Sequence, residues 1–332
     1  MRCGSGYRRR GAFCALAALV APGPGLAAQQ PEIYRFESGI ELVSVPVAVI
    51  SNDDAFITDL EASDFRILED GVEQEILVFG AGLEESWVDL PPEEKEELSR
   101  RQVIGLLLDA SGSMEQDMPL LQEAAIKFLN NIPRTEHLLV ISFDESIWLS
   151  EYSSDDQRTI ANRIYDIEAD GWTALYDAVA TFLDRVYDYD GRKTLAVFSD
   201  GEDSRSTLVF SEALDLVRLS DATIHSIHFG NRARHAQVFQ NSRFLRAISD
   251  ATGGSYELAG DLDQLDELYD RILDELYSQY SLGYVSTNTR RDGRYREIEV
   301  EVLRRDLRKA VVRARQGYYA PLDPPPPPPG RE

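Results

Sequence analysis

Cysteine is nearly missing from this chain. Its 332 residues include two, Cys3 and Cys14, and none follows them. Everything beyond position 14 is therefore without disulfides, thiolate chemistry or a sulfur-held metal. Basic residues are also scarce: 34 Lys and Arg stand against 58 Asp and Glu, a formal net charge of -24. Such a field repels a polyanion at long range, which excludes nucleic acid as a partner. No apolar run approaches the roughly twenty residues of a transmembrane helix. Neither a G-x-S-x-G nucleophile elbow nor a G-x-x-x-x-G-K-[ST] phosphate loop occurs. An aspartyl-phosphate hydrolase would place a second acid two residues after its strand-ending aspartate, and Ser111 stands there instead. His225 and His228 lie three apart on a predicted strand, so they face opposite sides and share no metal. His137 opens another strand.

The N-terminus reads as an export signal. MRCGSGYRRRG carries four arginines, AFCALAALVA is a short apolar core, and GPGLAAQQ offers small residues for cleavage near Ala27 or Ala28. An apolar core of about ten residues is too short to span a bilayer. Cleavage would remove both cysteines and leave a side-chain charge of about -28. The sequence thus predicts an exported protein, periplasmic or extracellular, with no transmembrane segment.

Beyond the signal the patterning changes four times. Residues 31 to 82 hold short alternating strands such as GIELVSVPVAVI, with EDG as a hairpin turn. Residues 83 to 102 form an acidic linker broken by Pro91 and Pro92. From 103 to 277 buried strands alternate with helices, which predicts an α/β, doubly wound, mostly parallel sheet. Residues 278 to 320 return to strands, with KAVVRARQGYY read as one of them. Each β segment alone is small for a core. Together they predict one small sandwich-like domain flanking, or interrupted by, the α/β domain. The tail 321 to 332 is a solvated polyproline stretch.

In a doubly wound sheet, ligands sit at the carboxyl ends of the strands where the winding reverses. The strand VIGLLLD ends in Asp109 and KTLAVFSD ends in Asp200. After the first runs Ala110-Ser111-Gly112-Ser113, whose alternation aims both hydroxyls to one side. Hard oxygen donors without sulfur or imidazole suit Mg2+, Mn2+ or Ca2+. Two acids ending apolar strands are costly to bury without a partner.

DASGS resembles the DxSxS motif of von Willebrand factor A-like domains. The metal ion-dependent adhesion site of those domains is completed by a threonine and an aspartate from two other loops. Here DGWTALYDA supplies Thr173 and FSDGEDS supplies Asp200, in the same order. The flanking segments SVPVAVISNDDAFITDLEASDFRILEDGVEQEI and RARQGYYAP are similar to those of bacterial secreted VWFA-related proteins. The resemblance implies a Rossmann-like fold and a site of Asp109, Ser111, Ser113, Thr173 and Asp200. It implies that the three hydroxyls touch the cation directly or through water, with the two aspartates partly behind them. A protein partner's Asp or Glu carboxylate then completes the coordination. It also implies coupling between the final helix and the site. The acidic pair that accompanies a second cation in some such domains is only partly matched by Met114-Glu115-Gln116-Asp117, so no second site is expected.

The expected function is a non-enzymatic adhesion module. Net charge alone predicts that association with an acidic partner speeds up with salt until screening saturates. A scaffold with a purely structural cation is the alternative. A metal-dependent hydrolase is a lesser one, because nothing supplies a general base.

Overall fold

The computed structural model describes residues 42–80, 102–132, 135, 137–189, 191–229, 235–259 and 262–322. The expected export signal, the linker up to Arg101 and the tail from Asp323 lie outside the described residues.

Three strands make the centre of a six-stranded sheet: β5 (Val103–Asp109), β8 (Lys193–Ser199) and β9 (Thr223–Phe229). Every residue in all three is buried. That is why VIGLLLD and KTLAVFS carry no alternation: helices cover both faces of a parallel sheet. The outer strands are β6 (His137–Phe143), β7 (Ile147–Tyr152) and β10 (Tyr256–Ala259). The order is β10-β9-β8-β5-β6-β7, with β7 the antiparallel edge. The chain winds from β5 outward through β6 and β7, then returns to β8 on the other side of β5. The reversal therefore falls at β5, with β8 beside it.

Helices α1 (Met118–Asn131), α2 (Gln157–Tyr165) and α6 (Leu262–Ser278) cover one face. Their core includes Phe128, Ile160, Ile164 and Leu276 against Leu106 and Leu108. Helices α3 (Leu175–Arg185), α4 (Phe210–Leu219) and α5 (His235–Thr252) cover the other. There Phe182, Val217 and Phe244 pack against Leu107, Leu195 and Val197. This is the doubly wound α/β fold that the sequence predicts.

Two four-stranded sheets hold the remaining strands, which are β1 (Leu42–Ile50), β2 (Phe65–Glu69), β3 (Val72–Gln74), β4 (Ile76–Gly80), β11 (Tyr280–Val285), β12 (Tyr295–Val302), β13 (Val311–Ala314) and β14 (Gly317–Tyr319). Their orders are β13-β1-β11-β4 and β14-β12-β2-β3. Each sheet mixes strands from before and after the α/β part, so neither β segment builds a sheet alone. Val45, Val47, Ile67, Tyr280 and Tyr284 fill the core they share. The EDG turn joins β2 to β3 with φ of 49° at Asp70 and 79° at Gly71, the positive pair that a tight primed hairpin needs.

One expected element differs. KAVVRARQGYY is not one strand but two, β13 and β14, in different sheets. Between them Gln316 donates its N–H to Ala251 O at 3.2 Å and accepts from Ile298 N at 2.8 Å. Arg315 Nη2 donates to Ser220 O at 3.3 Å. The corner is held by partners distant in sequence, so apolar alternation runs through it without a mark.

Only Gln279 separates α6 from β11, and it is buried. Arg192, just before β8, donates to Leu276 O at 3.4 Å and to Ser281 Oγ at 2.6 Å. Arg313 of β13 reaches buried Glu275 of α6 at 2.9 Å, and His225 Nδ1 lies 3.7 Å from the same carboxylate oxygen. Burial pushes the Glu275 carboxyl up to about 7 despite the pull of Arg313. Burial, aided by the Arg313 charge, pushes His225 down to about 3.

Candidate functional site

Asp109 ends β5 fully buried. Its Oδ1 accepts from Ser111 N at 3.0 Å and from Ser111 Oγ at 2.6 Å. Its Oδ2 accepts from Ser199 Oγ at 2.5 Å. Ser111 Oγ lies 3.1 Å from Ser113 Oγ. The structure thus gathers three of the five expected residues through direct contacts. Ser111 is buried and Ser113 exposed, so the row runs from the sheet outward.

Asp200 follows the last residue of β8, half-buried, and accepts from Glu202 N at 3.0 Å. Thr173 is buried in the loop before α3. Two backbone bonds hold that loop against DASGS: Asp170 N to Ala110 O at 2.9 Å and Gly112 N to Gly171 O at 3.1 Å. A Cβ on Gly112 would stand 3.3 Å from Gly171 O, so the close approach favours glycine. Thr173 O accepts from Ser204 N and Arg205 N, both at 2.9 Å, while Thr173 N donates to Ser204 Oγ at 3.1 Å. The three loops are therefore laced together by main-chain bonds. Among the described residues no hydrogen bond joins the Thr173 hydroxyl or the Asp200 carboxylate to the DASGS side chains.

The electrostatics are one-sided. Burial, then the charge of Asp200, pushes the Asp109 carboxyl up to about 7. Burial, then Asp200 again, also raises Asp117 at the start of α1. Among the described residues no Lys or Arg side chain pairs with Asp109, Asp117 or Asp200, and burial pushes His228, which lies near Asp200, toward its neutral form. The charge of these acids is uncompensated, and a cation would relieve it. The donors are carboxylates and hydroxyls, which fit a hard ion. No group of three or more His, Cys, Asp or Glu side chains gathers for a metal among the described residues. His225 and His228 bind different partners, Ser255 Oγ at 2.9 Å and Tyr256 OH at 2.6 Å.

Sequence reasoning missed Ser199, Ser204 and Asp144. Ser199 precedes Asp200 in the same FSDGEDS stretch, and its place at the end of a buried run was the available signal. Ser204 anchors the Thr173 loop, and Asp144 O accepts from Ala174 N at 2.9 Å. Neither carries a sequence signal, because both act across loops.

A doubly wound sheet with DASGS, the Thr173 loop and Asp200 at its carboxyl end gives the α/β part the architecture that von Willebrand factor A-like domains share, and the chain is similar to proteins of that class. No family model matches the chain. Over 187 residues it is 30% identical to calcium-activated chloride channel regulator 3A-1 of Mus musculus, which covers 52% of this chain and 19% of the relative. The chain thus spans about a fifth of the length of the curated relative it matches. A von Willebrand factor type A structure from Catenulispora acidiphila overlaps 86% of this chain and 75% of its own at 13% identity and a TM-score of 0.44. Proximal thread matrix protein 1 of the mussel byssus, with a zinc-occupied MIDAS motif, overlaps 55% of this chain and 47% of its own at 15% identity and a TM-score of 0.44. BatB from Bacteroides thetaiotaomicron overlaps 53% and 99% at 14% identity and a TM-score of 0.42. Overlaps this loose carry no argument about function.

Proposed function

We propose that this chain is an exported, non-enzymatic binding module that engages a protein partner through a divalent cation. Ser111, Ser113 and Thr173 would hold the ion through their hydroxyls, with Asp109 and Asp200 supplying the charge behind them. Bound there, Mg2+ (or Mn2+ or Ca2+) supplies a Lewis-acidic position for an Asp or Glu carboxylate of the partner. The observation that carries this reading is the pair Asp109 and Asp200, acids at the ends of adjacent strands with no Lys or Arg partner among the described residues. Ser111 and Ser199 fix the Asp109 carboxylate with three hydrogen bonds, which sets its orientation before any ion arrives.

The binding module would comprise residues 103 to 277, with 31 to 82 and 278 to 320 as its pedestal. That division leaves the cation end of the sheet facing away from the junctions at Val103 and Ser278. Among the described residues no helix is long and apolar enough to cross a membrane.

A purely structural cation is less well supported. The loops are already closed by direct bonds such as Asp170 N to Ala110 O and Ser204 N to Thr173 O, both 2.9 Å. An ion adds little to loops that hold themselves.

The test is association with exported proteins in Mg2+ against chelator, with Asp109→Ala as control. Capture that needs both Mg2+ and Asp109, with the fold intact by circular dichroism, supports the reading. Capture indifferent to both contradicts it. Metal-dependent turnover of an ester or phosphate would replace it with the hydrolase.

A further inference from the structure

The three most exposed aromatic side chains among the described residues are Trp172, Trp148 and Tyr165, at 64%, 62% and 62% exposure. They come from three elements, and the topology carries all three to the carboxyl end of the sheet. Trp172 precedes Thr173 in the loop over DASGS. Trp148 pairs with Ser142 near the carboxyl end of β6, where β7 starts. Tyr165 ends α2, and its carbonyl accepts from Gln122 in the second turn of α1, which begins at that same end of the sheet. In an antiparallel pair, opposed residues share a face. Ser142 is in step with Leu138 and Val140, which pack in the α1–α2 core. Trp148 therefore projects to the face that α2 covers. Ala174 N donates to Asp144 O at 2.9 Å, which ties the Trp172 loop to the β6–β7 hairpin.

The same hairpin and loop carry carboxylates. Asp144 and Glu145 sit in the hairpin, and Asp166, Glu168 and Asp170 line the loop after α2, all exposed except half-buried Asp144. None of the five pairs with a basic side chain among the described residues. Large exposed aromatic surface on a protein marks an interaction site. Aromatic faces and unpaired carboxylates both attract Lys and Arg, the first through the ring quadrupole and the second by charge.

We propose that this flank, bounded by Trp148, Tyr165 and Trp172, is a docking surface for a Lys- and Arg-rich segment of the protein partner. The inference rests on the cation reading above and narrows it: the carboxylate offered to the ion belongs to a locally basic segment, not an acidic one. A basic segment is drawn in by the field that would repel an acidic one. Salt then weakens association, the reverse of what net charge alone predicts for an acidic partner.

The test uses the full chain in Mg2+ and three synthetic peptides of equal length. One carries a single aspartate among lysines and arginines. The second carries it among glutamates. The third is the basic peptide with the aspartate changed to asparagine. Two of the three tryptophans, Trp148 and Trp172, lie on the flank, so intrinsic fluorescence reports occupancy directly. The basic peptide is expected to bind at least about tenfold tighter than the acidic one, to shift tryptophan emission, and to weaken as salt rises. Glu145→Lys with Glu168→Lys, both exposed and checked for an intact fold by circular dichroism and for unchanged Mg2+ uptake, is expected to cost about tenfold or more, and Trp172→Ala to reduce the emission change. Equal binding of basic and acidic peptides, or no effect of the double charge reversal, overturns the proposal. An asparagine peptide that keeps its dependence on Glu145 and Glu168 but ignores Mg2+ supports the flank. An asparagine peptide as tight as its aspartate parent in Mg2+ supports the flank and sinks the cation reading.

Discussion

Ser199 Oγ donates to Asp109 Oδ2 at 2.5 Å, tying the last residue of β8 to the last residue of β5. The bond fixes one carboxylate oxygen while Ser111 fixes the other. Ser199→Ala keeps the buried volume nearly unchanged but frees the carboxylate to turn. Partners that orient a ligand typically account for about 10- to 100-fold in metal affinity. Mg2+ uptake by Ser199→Ala is expected to weaken by that order, read by calorimetry, with thermal unfolding lowered by only a few degrees. Unchanged uptake would mean that Asp109 needs no such orientation.

Gly201 follows Asp200 with φ of +74°, and a Cβ there would stand 2.4 Å from Asn241 O on α5. Both the left-handed backbone and the main-chain contact exclude a side chain. Gly201→Ala is expected to destabilise by about 2 kcal/mol or more and to displace Asp200. Thermal unfolding checks the first effect. A melting temperature equal to that of the parent would show that the loop relaxes freely.

Glu275 and His225 give stability a pH profile. Folding raises the Glu275 carboxyl from its usual range to about 7, so the folded chain holds a proton that the unfolded chain has released. That contribution is complete below about 4.5 and is lost as pH rises through 7. His225 is lowered to about 3, so its contribution is present above about 6.5 and is lost as pH falls toward 3. Glu275→Gln cannot ionise. Relative to the parent, its melting temperature is expected to improve by a few degrees between pH 5 and pH 8. A parallel pair of curves would show that Arg313 keeps Glu275 charged throughout.

The junction between α6 and β11 is a single buried residue, Gln279, bracketed by Arg192 contacts to Leu276 and Ser281. Tension between pedestal and sheet therefore has little slack to absorb it. A flexible insertion after Ser278 is expected to leave Mg2+ uptake intact and to remove any dependence of partner affinity on load, measured by single-molecule pulling. A load dependence that survives the insertion would place the coupling elsewhere.

Much of the fold was legible because its signals are local. VIGLLLD, KTLAVFS and TIHSIHF show no polar alternation and are buried throughout, at the centre of the sheet where both faces are covered. DASGS placed Asp109, Ser111 and Ser113 together by spacing alone, and their contacts agree. What stayed hidden depends on contacts between distant segments. The change of sheet at Arg315 and Gln316 is held by Ser220, Ala251 and Ile298, none of them near in sequence. The approach of the Thr173 loop rests on main-chain bonds at Ala110, Gly112, Asp144 and Ser204, which side-chain identity does not encode. Trp148, Tyr165 and Trp172 are seventeen and seven positions apart along the chain and reach the same end of the sheet only once α2 packs on its face.

The most direct measurement is calorimetric titration of the chain and of Asp109→Ala with Mg2+. One ion per chain is expected in the parent and none at this site in the variant, with both folded by circular dichroism. No uptake by the parent, or the same uptake by the variant, would contradict it.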